Sequence, residues 1–358
     1  MPVNQAKHLK TMQRVPRKIR LGTDYSGLDA PAIALRRLKV AFKTMFASDT
    51  SKACRRVLKH GHDCRPHVLY RDVKKRSVRN MASTHLYVWG PPCQPFSSLG
   101  KGRGVDDRRS LSDYSLEYLR VHRPRATLME NVKGMLSFKH RTHFKQIVRQ
   151  LRAMNYIVSI KVLNSLDIGG VRHSRSRIYV AGIQKASMRC KMQWPKAIPP
   201  RTEYGLHRFR KGHDHRGRLP SKSKPRERKL VKNAFKKCLA MSPPVDPRVK
   251  TVFIDVGAST KFFHMRIGSM PCLTHSRGST GGFWVSSRGR LTTTRELARM
   301  QAILPDDLNW EAANISRRQF GAMLGNTMTV SVVGRVLRNL LWASRLVYEL
   351  PSDPWAST

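Results

Sequence analysis

Cys93 stands in the run Gly90-Pro91-Pro92-Cys93-Gln94-Pro95-Phe96-Ser97-Ser98, where a thiol on a stiff loop is a candidate nucleophile. The prolines fix their own φ and push the residues before them out of the helical region, so the loop is extended. The competing reading is a buried free cysteine beside a proline turn, because free Cys commonly behaves as a small hydrophobe. Glu130 follows the apolar run 126–129, and Arg175 and Arg177 precede another at 178–183. Taken singly, Glu130 reads as a helix cap or surface acid, and the arginines as a solvated pair. Cys54, His60, His62, Cys64 and His67 cluster in sequence, but their spacing matches no paired Cys/His arrangement, and no metal is expected.

The elements that must position these groups alternate. Residues 85–89, rich in β-branched and aromatic side chains, read as a buried strand ending at Gly90. Cys93 then follows a strand's C-terminal end, where open α/β sheets take their ligands. Residues 19–31 read as strand, turn and helix start, with Asp29 able to cap a helix opened by Ala30 and Pro31. Further strands are expected at 41–47, 67–70, 126–129, 156–163 and 178–183, and helices at 51–59, 112–121 and 142–154. This alternation predicts an α/β fold, a doubly wound and mainly parallel sheet. Residues 101–109 are glycine-rich and charged, the composition of a mobile loop able to close over a substrate. From about 185 to 250 the pattern fails, and a smaller, irregular, basic lobe is expected there. An amphipathic helix closes the chain from Val330 to about Leu346. The divisions expected are a basic arm at 1–18, a catalytic and cofactor-binding domain at 19–184, the lobe at 185–320, a returning helix at 321–348 and a tail at 349–358.

The formal charge is +47 over 358 residues. Residues 201–240 carry 14 Lys and Arg against 3 acids, and residues 1–23 carry 6 against none. These stretches supply 17 of the 47 charges, so about +30 is spread over the remainder. Such a field recruits polyanions, and nucleic acid is the expected partner. Six cysteines in a chain this long suit a reducing compartment, and no apolar run reaches membrane-span length. An intracellular protein is expected, nuclear before bacterial cytoplasm, with organelle targeting by the acid-free N-terminus left open.

In this order the pieces resemble the cytosine-C5 DNA methyltransferase family, over roughly residues 21–346. Pro91-Pro92-Cys93-Gln94-Pro95-Phe96-Ser97 is similar to its nucleophile motif, Glu130-Asn131-Val132 to its second catalytic motif, and Arg175-x-Arg177 before a strand to its arginine motif. Arg295-Glu296-x-Ala298-Arg299-x-Gln301 and Gly325-Asn326-Thr327 resemble its closing motifs. The resemblance implies a Rossmann-like, S-adenosylmethionine-dependent enzyme with a target-recognition lobe, acting on a cytosine flipped out of double-stranded DNA. Cys93 would add to C6 of the base, so that C5 attacks the methyl group, and nearby positive potential would favour its thiolate. Glu130 would act at N3, Arg177 would face O2 and hold Glu130, and Arg175 would order the loop or a phosphate.

For S-adenosylmethionine the resemblance points to Tyr25, Ser26, Gly27, Asp49, Asp72, Pro92, Leu111, Asn326 and Thr327. Asp49 would take the ribose hydroxyls and Asp72 the adenine amine. Asp29 stands where a second glycine is usual, and it either crowds the methionine end of the cofactor or pairs with its ammonium group. Thr50 stands where a larger side chain is usual, and His173 replaces a customary glutamine. The alternatives are an RNA-cytosine methyltransferase on the same scaffold, whose Cys-Phe-Thr trio this chain lacks, and a decayed nucleic-acid-binding protein.

Overall fold

The computed structural model describes residues 14–62, 68–92, 111–205, 217–259 and 264–356. Cys93 and the charged loop at 101–109 lie outside the described residues, as do Cys64 and His67. The chain divides into two compact units, 1–163 with 177–196 and 333–358, and 164–176 with 197–332. The divisions expected from sequence differ: residues 185–196 go with the first unit, and 164–176 and 321–332 with the second.

The first unit alternates β1 (Ile19–Asp24), α1 (Ala30–Arg37), β2 (Phe42–Ser48), α2 (Lys52–Gly61), β3 (Leu69–Tyr70), β4 (Leu86–Trp89), α3 (Leu111–His122), β5 (Ala126–Val132), α4 (Arg141–Ala153), β6 (Tyr156–Asn164) and β7 (Ser176–Gln184). The seven strands form one sheet in the order β3-β2-β1-β4-β5-β7-β6. Pairings among β1 to β5 are parallel, and β7 runs antiparallel to β5. Central parallel strands are covered on both faces and so read as apolar runs, which is why Leu86–Trp89 is buried throughout. Phe46, Tyr87, Trp89 and Tyr118 pack together in this core. Strand order reverses between β1 and β4, so the crevice beyond their C-terminal ends is the expected ligand site.

Two local expectations change. β5 continues through Glu130 to Val132, because its antiparallel pairing with β7 holds to Arg177. Asp29 takes the position before α1, yet with φ 49° its side chain makes no cap. Its backbone carbonyl, not its carboxylate, accepts from Ala32 and Ile33 N–H.

The second unit is less irregular than its composition suggests. It holds α5 (Pro225–Leu239), a sheet of β8 (Val252–Ile254), β9 (Met265–Ile267), β10 (Trp284–Val285) and β11 (Arg290–Leu291), then α6 (Thr294–Met300) and α7 (Arg317–Asn326). The sheet order is β11-β10-β8-β9, all antiparallel. Leu230, Val231, Ala234 and Cys238 of α5 are buried at helical spacing beneath basic side chains that hide the period in the sequence. The final helix, α8 (Val330–Ala343), starts in the second unit and runs into the first.

Candidate active site

Strand pairing positions the candidate acid. Glu130 lies opposite Tyr179 and Val132 opposite Arg177, so Glu130 and Arg177 are diagonal neighbours on one face of the β5–β7 ladder. The Arg177 Nε stands 3.3 Å from the Glu130 Oε1, with side chains 14% and 11% exposed. Among the described residues Oε1 accepts no well-directed hydrogen bond, so the pair is electrostatic and retains acceptor capacity. Asn131 is turned the other way. Its Nδ2 donates to the Pro91 carbonyl at 3.2 Å, and its Oδ1 accepts from Val132 N–H at 2.8 Å. The loop that leads to Cys93 is thereby tied to the strand that carries Glu130. Thr127 makes a second tie, donating to the Tyr87 carbonyl at 3.0 Å while accepting from Trp89 Nε1 at 3.1 Å.

The candidate cofactor residues of the first unit gather at the switch point. Tyr25 and Gly27 both have left-handed backbones, φ 57° and 55°. Glycine carries that conformation freely, whereas tyrosine must be held in it. The Tyr25 hydroxyl donates to the Leu111 carbonyl at 2.5 Å, joining this turn to the start of α3. Burial first, and then Asp24, pushes the tyrosine hydroxyl above its ordinary pKa. Ser26 Oγ accepts from Ser48 N–H at 3.0 Å, and Gly27 N–H donates to Asp49 Oδ2 at 2.9 Å. Asp49 Oδ1 accepts from Ser51 N–H at 2.8 Å, and Asp72 Oδ1 from Lys74 N–H at 2.9 Å. Each Asp49 oxygen thus keeps a lone pair for a further donor, as a vicinal diol requires. Pro92 is exposed at the end of the described loop.

The remaining candidates belong to the second unit. Arg175 is 4% exposed, and its Nη1 donates to the Leu273 carbonyl at 2.9 Å and the Gly325 carbonyl at 3.2 Å. That commits it to ordering two segments of backbone. His173 accepts from Leu273 N–H at 3.0 Å through Nε2, and its Nδ1 lies 3.1 Å from the Met300 carbonyl. Gly325 meets the carbonyl of Thr274 so closely that a Cβ there would sit 2.2 Å from the oxygen. Asn326 ends α7 exposed, and Thr327 is buried with its N–H on the Met323 carbonyl. Glu296 closes a capping box with Thr293 and pairs with Arg290, and Gln301 bridges Leu324 and Thr329. Those two residues of the first closing motif are therefore structural.

Other chemistry-bearing residues are accounted for locally. Burial pushes the Cys54 thiol up to about 12. His62 is driven down to about 3, chiefly by burial, and its ring nitrogens face the Leu28 carbonyl and Arg36. Among the described residues no group of His, Cys, Asp and Glu is placed to hold a metal ion. No described helix is long and apolar enough to cross a membrane. Reading the sequence overlooked Asn131 as an anchor and missed Asp24, Arg76 and Tyr87 altogether. An acid at the end of a strand was the one available signal for Asp24, whereas Arg76 is one of 69 basic residues.

Known proteins resemble this chain in sequence and in fold. The type II methyltransferase M.NgoBI of Neisseria gonorrhoeae is 27% identical over 314 residues, 86% of this chain and 89% of that protein. M.HaeII of Haemophilus aegyptius is 26% identical over 316 residues, 86% of this chain and 90% of that one. In fold, the chain is similar to the S. pombe Dnmt2 methyltransferase, with TM-score 0.61, 18% identity, and 91% and 99% of the two chains covered. A putative DNA modification methyltransferase from an E. coli prophage gives TM-score 0.59 at 16% identity, covering 90% and 99%. Residues 25–342 match the C-5 cytosine-specific DNA methylase family, and the chain belongs to that family.

Proposed function

We propose that this DNA (cytosine-5)-methyltransferase acts on a cytosine flipped out of double-stranded DNA, with Cys93 as nucleophile and S-adenosylmethionine as methyl donor. The observation that carries the reading is the Glu130–Arg177 pair, whose Glu130 lies on the strand that also holds the Pro91 carbonyl two residues before Cys93. A carboxyl flanked by a guanidinium and short of hydrogen bonds suits a group that must exchange a proton at N3. Arg177 would steady negative charge developing at O2 while keeping Glu130 oriented. In water the thiol of a free cysteine is mostly protonated at neutral pH, so positive potential around the site would raise the thiolate fraction of Cys93.

The residues present fit the cofactor. Asp49 keeps acceptor capacity on both oxygens, and the left-handed Gly27 leaves backbone open beside it. When bound, S-adenosylmethionine supplies an electrophilic methyl group on sulfonium. Tyr25, Ser26, Gly27, Asp49 and Asp72 would hold its nucleoside and amino-acid ends.

Duplex DNA is supported by charge. One groove on α5 is lined by Lys222, Arg228, Lys229, Lys232 and Lys236, with Pro225 and Asn233 and no acid. Cations repeated along a helix suit a phosphate backbone, which fixes orientation and carries no sequence information. A nuclear address follows from the same charge as a proposal, which imaging of a tagged chain tests.

Methyl transfer from labelled S-adenosylmethionine to duplex DNA and to transfer RNA, at stated salt, tests the function. Label is expected in duplex DNA, with Cys93→Ser inactive and a 5-fluorocytosine duplex trapped covalently by the wild type alone. Label confined to transfer RNA would give the RNA reading, and an adduct that survives Cys93→Ser would remove the nucleophile.

A further inference from the structure

Asp24 closes β1 with a side chain that is 0% exposed, one residue before the Tyr25–Gly27 turn. A carboxylate at that depth persists only when its oxygens are satisfied. Three side chains satisfy it. Arg76 donates to both oxygens through its two terminal nitrogens, the Tyr87 hydroxyl donates to Oδ2, and the Ser48 hydroxyl donates to Oδ1 at 2.6 Å. The Arg76 side chain is itself 2% exposed and lies over the rings of Phe46 and Tyr70, 5.5 and 5.9 Å from their centroids.

These donors are distributed over the sheet in a particular way. Ser48 ends β2 and precedes Asp49; Arg76 follows Asp72 by four residues; Tyr87 lies on β4, which leads to the Pro91–Pro92 loop. One carboxylate therefore joins the segments after β1, β2 and β3 to β4 at the point where strand order reverses. Tyr25, Asp49 and Asp72 stand on three different segments. A ligand that touches all three needs their spacing held to a fraction of an ångström before it arrives. Backbone bonds supply part of this, as Ser26 N–H to the Ser48 carbonyl and Asp49 N–H to the Tyr70 carbonyl. The segment beyond Tyr70 has its own turn, with Lys74 N–H on Asp72, and Arg76 is its side-chain tie to β1.

We propose that Asp24, Ser48 and Arg76 are positioning residues for the cofactor, setting the spacing of the Tyr25, Asp49 and Asp72 segments without touching it themselves. The proposal rests on the cofactor reading given above. Its consequence is that loosening the centre weakens cofactor binding out of proportion to any loss of stability. The chemical step, which belongs to Cys93, Glu130 and Arg177, is left nearly intact.

The experiment uses the full chain and S-adenosylhomocysteine as probe, with binding measured by titration calorimetry well below each variant's unfolding midpoint. Ser48→Ala leaves the Asp24–Arg76 pair in place, and Arg76→Lys keeps the charge but loses the two-pronged contact. Each is expected to weaken binding about tenfold and to raise KM for S-adenosylmethionine in step, with kcat within about twofold, as a uniform binding loss requires. Arg335→Lys, which loosens the buried Arg335–Asp353 pair of the same unit, is the stability control and should bind as the wild type does. Wild-type affinity in both test variants would overturn the positioning role. Equal weakening in the Arg335→Lys control would also overturn it, since loss of stability alone would then account for the effect. A wild type that does not bind S-adenosylhomocysteine overturns the cofactor reading, and the positioning role falls with it.

Discussion

Asp24, the last residue of β1, and Asp29, just before α1, lie five residues apart, and both residues are shut away from water, at 2% and 0% exposure. Asp24 is surrounded by donors from β2, β4 and the segment after β3. Among the described residues, no donor makes a well-directed hydrogen bond to either Asp29 oxygen. Burial first, eased by Arg36 and the Ala32 backbone, raises the Asp29 carboxyl from 3.8 to about 7. Equal burial thus produces opposite groups, a carboxyl held by three side chains and an acid pushed toward neutrality. What separates them is the supply of partners, because donors offset the cost of burying a carboxylate. The contrast also bears on Asp29 and the cofactor. Its oxygens are buried without contact to solvent, so pairing with a ligand's ammonium would need that turn to move.

Removing each acid separates the two cases. Asp24→Ala leaves the Arg76 guanidinium buried without its anion, and urea unfolding at pH 7 should show a loss of about 3–5 kcal/mol. A loss under about 1 kcal/mol would put Asp24 on the same footing as Asp29. Asp29→Asn should act in the opposite direction, because asparagine tolerates a left-handed backbone and carries no charge to bury. In the unfolded chain Asp29 ionises near 4, whereas the folded chain keeps its proton to about 7. Wild-type stability therefore falls as pH rises from 4 to 7 and is level above that. The Asn variant should be more stable by about 2–4 kcal/mol at pH 8, at about 1.4 kcal/mol per unit, with the advantage gone at pH 4. A pH-independent difference would mean that Asp29 has a partner after all. The smallest effect is expected of Tyr87→Phe, which removes one of the donors to Asp24 and leaves Arg76 and Ser48. A loss of about 1–2 kcal/mol by the same unfolding measurement would rank the hydroxyl as support rather than keystone.

The neighbourhood of Glu130 and Arg177 was partly legible beforehand, for a reason specific to strands. Glu130 and Arg177 flank short apolar runs whose period and order declare a sheet, and the register of that sheet, which the sequence does not show, sets them diagonally across one face. The Pro-Pro-Cys loop declares itself by residue type alone, although Cys93 lies outside the described residues. Helix α5 was harder to see, since six of its fifteen residues are Lys or Arg, and their charges mask the buried spacing of Leu230, Ala234 and Cys238. The Asp29 cap failed for a different cause. Capping chemistry is local, yet the left-handed backbone at Asp29 presents the wrong atoms to the helix.

What the amino-acid sequence determined by itself is the alternation of elements, the polyanion-seeking charge and the ordered motifs that mark a cytosine methylase. Each depends on neighbours along the chain or on composition, which need no folding to be read. Tertiary structure decided which polar groups are partnered. Asp24 meets Ser48, Arg76 and Tyr87 across separations of 24, 52 and 63 residues, and Asn131 meets Pro91 across 40. No local pattern encodes such meetings, because they exist only where parallel strands bring distant segments to one end of the sheet. The same closure left Asp29, among the described residues, without a well-directed donor.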